Sequence, residues 1–272
     1  MEIHRFPAID TRQLLTTLRT DLIDLLSDLS PSEWSTGTAV PRWRVKDLVL
    51  HLLDDDLSVL SRGRDRDASG VVQGTTHDEF VQSLAAKNQL WIDGAQKLSS
   101  EASIGLIRWA GLQLDEYYQT LELDGEGHVS WASDEPVPTW LDIAREFTER
   151  WVHQMQIREG VDRVGDHVEK YLPTVLRTFV WAMPHQYRVD AAEGLTVQVN
   201  LESGGTWHLM CLGSGRWSLG EGPSTRPDAS AHFSDDAAWR WLTGGSVPPD
   251  GVVFEGPGRL TDPILQIRAI IA

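Results

Sequence analysis

Thr148-Glu149-Arg150-Trp151-Val152-His153-Gln154 sits inside a run from Thr139 to about Val161 whose apolar spacing predicts one long helix. A spacing of four puts Glu149 and His153 on one helix face, a carboxylate and an imidazole one turn apart. About a hundred residues upstream, Val45 to Ser61 predicts a second helix that carries His51. Two imidazoles and one carboxylate suit a divalent transition metal with a position left open for chemistry. A helical wheel gives two readings of the same residues. Trp140, Phe147, Trp151, Gln154 and Arg158 form a mostly apolar stripe, and Glu149 and His153 point away from it, beside Arg145, Glu146 and Gln156. His51 is likewise off its helix's main stripe, among Asp47, Asp54, Asp55 and Ser58. Either these are two solvated polar faces, as amphipathic helices have, or they meet across a groove and hold a cation. Asp55, four residues after His51, could orient its ring or add a ligand. Asn88 interrupts an apolar stripe, where a buried amide needs a partner; an edge position reaching water is the alternative. Asp55 and Asn88 are therefore the candidates for contacts to a bound cofactor.

Outward from that pair, the first 190 or so residues read as helices. Asp10 with Gln13 suggests a capping box ahead of Leu15, Leu18, Leu22, Leu25 and Leu29. Pro31 and Pro41 bracket an expected loop, and Arg62 to Thr75 is irregular. Thr76 and Glu79 would cap a third helix with the stripe Val81, Leu84, Asn88, Trp91, Ala95 and Leu98. A fourth uses Ile104, Ile107, Leu114, Tyr117 and Leu121, and a further helix is expected from about Val168 to Arg188. Several long amphipathic helices with polar connections argue a helical bundle. Near Gly194 the period falls to two. Strands are expected at Leu195–Leu201, Trp207–Cys211, Arg216–Leu219 and Gly251–Phe254, with a helix at Ser234–Leu242 and a closing helix at Asp262–Ala272. The expected fold is α+β: a bundle over 1–190 followed by a small α+β domain over 191–272. Gly213-x-Gly215 and Gly220-x-Gly222 open no helix, so they read as hairpin turns and not phosphate loops.

Composition narrows the function classes. The 272 residues carry a net charge of −16, from 40 acidic and 24 basic side chains, which repels phosphate backbones and argues against nucleic acid. No apolar run reaches the ~18–20 residues of a membrane helix, and the start lacks the pattern of a signal peptide. A soluble cytoplasmic protein, monomer or homodimer, is the expectation. Twelve Trp should serve mainly as core anchors. Cys211 is the only cysteine, which excludes a disulfide framework; its apolar neighbours make it a small buried hydrophobe. His77 falls at a helix start, and His128, His167, His208 and His232 have no partner at ligand spacing. His185 reads equally as a packed or a functional histidine.

Trp43-x-Val45-x-Asp47-Leu48-x-x-His51 resembles the signature of the mycothiol-dependent maleylpyruvate isomerase family, in the DinB/YfiT-like four-helix-bundle superfamily. Glu149-Arg150-Trp151-Val152-His153-Gln154-x-x-Ile157-Arg158 is similar to the family's second ligand-bearing helix. Pro184-His185-x-Tyr187-Arg188, Trp217-x-Leu219, Pro227-Asp228-Ala229 and Val247-Pro248-Pro249-Asp250 extend the likeness through nearly the whole chain. The resemblance implies a DinB-like bundle with His51, Glu149 and His153 as ligands of a metal, zinc by expectation, and a low-molecular-weight thiol such as mycothiol as cofactor. It also implies a basic substrate-binding residue in the second domain; Arg226 is the candidate, ahead of Arg216 and Arg240. The run Asp54-Asp55-Asp56 departs from the small or apolar residues expected there.

The activity implied is that of an isomerase or S-transferase on a small electrophile such as maleylpyruvate. Coordination by a metal lowers a thiol's pKa. In an isomerase the thiolate adds to a cis double bond, which rotates as a single bond before elimination. In a transferase it stays attached. Two other classes remain open from the residues: a metal-binding or metal-free bundle that binds ligands, with the small domain as a lid, and a hydrolase using a metal-bound water.

Overall fold

Val45–Val59 (α3) is buried on almost every side, with Val45, Asp47 to Asp54 and Asp56 all withdrawn from water. A helix buried all round is central, not a surface helix with one wet face, and this sets the architecture of the helical unit. The structure is a computed structural model that describes residues 6–70 and 77–270. Its contacts divide the chain into two units, one of Arg12–Leu121 with Val152–Val164, the other of Met1–Thr11, Glu122–Trp151 and Gly165–Ala272.

In the first unit, α1 (Arg12–Ser27) buries Leu15, Leu18, Leu22 and Leu25 at the expected spacing. The expected loop after Pro31 instead begins with a one-turn helix, α2 (Pro31–Trp34). Ser30 accepts from the Glu33 N–H while Glu33 Oε2 accepts from the Ser30 N–H, a reciprocal cap that suits Pro31 at the first helical position. A single π turn, Leu60–Arg64, extends α3. The next helices are α4 (His77–Ala95) and α5 (Ser100–Gln119), the latter capped by Ser99, whose hydroxyl accepts from Ala102 N–H at 3.1 Å. Only the last turns of α4 dock as predicted. Ile92 and Ala95 pack on Leu50 of α3 with Trp91 and Leu98, whereas Leu84 is 38% exposed and Phe80 41%. The proposed Thr76 cap lies outside the described residues. In α5 the buried tyrosine is Tyr118, one position beyond the expected Tyr117. The long helix is α6 (Thr139–Gly160), whose last turns belong to this unit. There the Gln154 amide donates to Leu18 O and accepts from Leu22 N–H, both at 3.1 Å. A glutamine on the apolar stripe is thus a bridge into the backbone of α1.

In the second unit, a two-residue ribbon joins β1 (Glu126–Gly127) to β2 (Val137–Pro138) just ahead of α6. The helix expected over 168–188 is broken into α7 (His167–Phe179) and α8 (Ala182–Gln186). A mixed sheet follows in the order β5-β4-β3-β6-β7, with β3 (Thr196–Leu201), β4 (Gly205–Cys211), β5 (Trp217–Glu221), β6 (Ala229–Phe233) and β7 (Val252–Glu255). The period-two pattern puts Val197, Val199 and Leu201 on the core face. Strand β6 was not expected, yet it runs parallel to β3 with Val199 opposite Ala231. Ser234 caps α9 (Asp235–Leu242) as its sequence predicts. The closing helix is replaced by α10 (Gly258–Thr261), a 3-10 turn at Asp262–Gln266 and an extended tail, in which Ala269 N–H donates to Leu242 O at 2.7 Å. Trp207, Trp217 and Trp241 are buried anchors whose indole N–H groups reach the carbonyls of Gly204, Val189 and Ile264. The chain is an α+β protein, helical in its N-terminal part with a sheet in its C-terminal part. Among the described residues no helix is long and apolar enough to cross a membrane.

Candidate metal centre

Helix α3 delivers His51 and α6 delivers Glu149 and His153. Each of these three residues offers a ligand atom within 4.8 Å of the other two. The imidazoles of His51 and His153 meet edge to face, with ring centroids 4.7 Å apart at 83°. His51 is 5% exposed and His153 3%, so these are not solvated faces; Glu149 is half-buried. The Trp43 indole stands 5.2 Å from the His51 ring. Donors about 2.1 Å from a tetrahedral ion stand about 3.4 Å apart. The three side chains therefore need to close by no more than about 1.4 Å, within the reach of rotamer adjustment. Two imidazoles and a carboxylate, mostly withdrawn from water, fit a divalent ion.

Neighbouring residues orient the donors. His153 Nδ1 lies 2.8 Å from Gln156 Oε1. An amide oxygen only accepts, so Nδ1 carries the proton and Nε2 presents its lone pair. Asp55 Oδ2 stands 3.6 Å from His51 Nε2, which places it as sequence spacing suggests, beside the ring. Asp54 and Asp56 are buried too. Burial pushes the Asp54 carboxyl above its ordinary range, opposed by the charges of Lys87, His51 and Arg62. The acidic run that departs from the family pattern thus places Asp54 and Asp55 close to His51.

Asp47, the acid of the signature around Trp43, has an architectural task. It accepts from the Arg44 N–H (2.8 Å) and Arg44 Nε (3.2 Å) on one oxygen and from Gln96 Nε2 (2.7 Å) on the other. Burial opposes its charge, but the Arg44 and Gln96 bonds prevail and hold its pKa low.

One turn before Glu149, a buried ionic network replaces the solvated face that the wheel allowed. Glu146, 6% exposed, is paired with both Arg145 and Arg150, and Arg145 also reaches Asp142 at 3.2 Å. Burial works against the Glu146 charge, but the two guanidinium groups outweigh it and lower its pKa. Burial also raises Asp142, against the attraction of Arg145. Sequence reasoning missed this network because alternating Arg and Glu normally mark a wet helix face.

The remaining candidates lie on other elements. Asn88 is half-buried on α4. In the other unit, Arg226 is exposed on the loop between β5 and β6 and Arg216 is exposed before β5, while Arg240 is paired to Asp236 at 2.8 Å. His167 is buried and stacked on Trp151. His208 Nδ1 meets Gly222 O at 2.9 Å; Gly220-x-Gly222 ends β5, which does not pair with β6, so the hairpin expected there is absent, whereas Gly213-x-Gly215 lies between the paired strands β4 and β5. Cys211 is buried, with its thiol donating to Ala191 O at 3.3 Å.

Residues 15–158 match the model of the mycothiol maleylpyruvate isomerase N-terminal domain. A comparison with curated proteins finds no match. Two solved structures share the fold, a mycothiol-dependent maleylpyruvate isomerase and its histidine-to-alanine mutant. Each aligns at 15% identity with a TM-score of 0.54, covering 94% of this chain and 97% of the other.

Proposed function

The chain belongs to the mycothiol maleylpyruvate isomerase family and is an enzyme, and from that premise we propose that it uses a mycothiol-like thiol at a metal held by His51, Glu149 and His153. The observation that carries this reading is the convergence of those three donors from two helices to within 4.8 Å. The proposed reaction is isomerisation of a small electrophile such as maleylpyruvate; S-transfer to such an electrophile is the variant of the same chemistry. A divalent ion, zinc by preference for this donor set, lowers the pKa of a bound thiol so that thiolate is present near neutral pH.

The chain's own residues do the positioning. Gln156 holds the His153 proton on Nδ1, and Asp55 holds the His51 ring in an acidic setting. Asn88 is proposed to contact the thiol cofactor and Arg226 to attract an anionic substrate. Cys211, buried and bonded to a carbonyl, is unsuited to supply the sulfur itself. We further propose that the sheet-bearing domain begins near residue 190, and that the enzyme works in the cytoplasm, where free thiols stay reduced.

Protein purified without added metal should retain a divalent ion and convert maleylpyruvate to its trans isomer only when mycothiol is supplied. Removal of the ion by chelator should abolish turnover, and its return should restore it. Hydrolytic cleavage of a small substrate without any thiol, in place of isomerisation, would replace this reading with that of a hydrolase. A metal-bearing protein inert to thiols would be a ligand-binding bundle.

A further inference from the structure

Trp43 stands on a short hairpin just ahead of α3. Val40 O accepts from the Trp43 N–H at 3.1 Å, closing a turn with Pro41 at its second position and Arg42, at φ +72°, at its third. Proline followed by a left-handed residue is the type II pattern, which glycine or asparagine normally completes. Here an arginine carries the strain. Beyond the turn, the Trp43 carbonyl accepts from both the N–H (3.0 Å) and the hydroxyl (2.9 Å) of Thr38. Val45 N–H then donates to Thr36 O at 2.9 Å. The backbone that presents the indole is tied down before α3 begins.

The indole is fixed in turn. Its Nε1–H donates to Gln89 Oε1 at 3.2 Å, and Gln89 Nε2 donates to Asp93 Oδ1 at 2.9 Å, which sets the amide with its oxygen toward the indole. The body of the ring packs on the cluster of Leu50, Ile92 and Ala95. Its contact with His51 has ring centroids 5.2 Å apart at 54°, within the range of favourable aromatic pairs. The same imidazole meets His153 edge to face at 4.7 Å, and Asp55 Oδ2 stands 3.6 Å from its Nε2. All of these residues belong to one unit, Arg12–Leu121 with Val152–Val164. The apolar cluster alone would accept any large side chain at position 43. The hairpin and the Gln89 bond select one indole orientation, with His51 against it.

We propose that Trp43 is a positioning residue for the metal centre: its indole holds the His51 imidazole in the orientation that meets His153, so that two donors are set before an ion arrives. The inference rests on His51 and His153 being metal ligands and deepens that reading. An imidazole free to turn about its side-chain torsions loses that freedom on coordination, which weakens binding. A ring already held by packing has less to lose. Trp43 acts only through His51.

The test is NMR of the full chain, stripped of metal by chelator, followed by Co(II) binding in competition with a chromophoric chelator. In wild type, nuclear Overhauser cross-peaks should join the Trp43 indole to the His51 ring, and the His51 ring to that of His153. Trp43→Leu should lose the His51–His153 cross-peak and weaken Co(II) binding by about 10-fold or more. Trp43→Phe, which restores a ring, should recover most of both. Leu98→Ala, which thins the same apolar cluster, should lower the urea midpoint and leave both readouts at the wild-type level. A missing Trp43–His51 cross-peak in wild type, wild-type Co(II) affinity in Trp43→Leu, or an equal loss in Leu98→Ala would overturn the proposal. The expected cross-peaks in a wild type that binds no Co(II) would support the positioning of His51 and sink the metal reading instead. Trp43→Met, which fills the space without a ring, decides the matter if Trp43→Leu fails to fold.

Discussion

Replacing Gln156 by Leu removes the acceptor that holds the proton on His153 Nδ1. The bond is 2.8 Å long and Gln156 is 6% exposed, so water has little access to take its place. Coordination through Nε2 still requires the proton on Nδ1, now buried without an acceptor, at a cost of about 1–3 kcal/mol. That corresponds to about a 5- to 150-fold loss in metal affinity, which overlaps the 10–100-fold typical when the partner of a metal-bound histidine is removed. Gln156→Glu retains an acceptor and makes the ring a better donor, so its affinity should equal or exceed wild type. Competition with a chromophoric chelator measures both variants, and ¹⁵N shifts of the His153 ring in the metal-free protein report the tautomer directly. Gln156→Leu binding metal within about 2-fold of wild type, with Nδ1–H still the dominant tautomer, would refute the reasoning.

Glu149→Ala and His153→Ala should each weaken metal binding by at least ~10-fold, measured by elemental analysis after dialysis; Asp55→Asn should cost less than His51→Ala. Glu146→Gln leaves Arg145 and Arg150 short of a buried countercharge and should destabilise the fold by about 3–5 kcal/mol in urea denaturation. Because the folded-state pKa of Glu146 lies below the ordinary 4.5, its contribution is complete above that pH and is lost as pH falls through the folded value. Wild type should therefore lose this share of stability on acidification and Glu146→Gln should not, a contrast that acid-dependent urea midpoints would expose. Limited proteolysis should cut near residues 190–194, an exposed stretch between α8 and β3, and intact chain under conditions that digest unfolded protein would count against a domain boundary there.

Helix existence was legible because Leu15, Leu18, Leu22 and Leu25 of α1, and their counterparts elsewhere, repeat at helical spacing. The alternation in Thr196–Leu201 and the Ser234 cap were equally plain. What the sequence left open was whether the polar positions of these two helices are wet or buried. Helices α3 and α6 are buried nearly all round, so His51, His153, Glu146 and Gln156 mark a polar interior and not a surface. No periodicity distinguishes the two cases, since both place like residues on one face. Strand β6 escaped notice because Ala229, Ser230 and Ala231 are small residues with little strand preference of their own, held there by pairing with β3. The closing helix failed where Pro263 enters a 3-10 turn and the tail, instead of continuing, docks on Leu242 O.

The central claim is that an external thiol binds a metal held by His51, Glu149 and His153. Co(II)-substituted protein titrated with mycothiol tests it most directly. A sulfur-to-cobalt charge-transfer band should appear on addition, with an apparent pKa well below the ~8.5 of a free thiol. The band should persist in Cys211→Ser and vanish in His51→Ala. A band that is present without added thiol and disappears in Cys211→Ser, or no band at saturating mycothiol, would contradict the account.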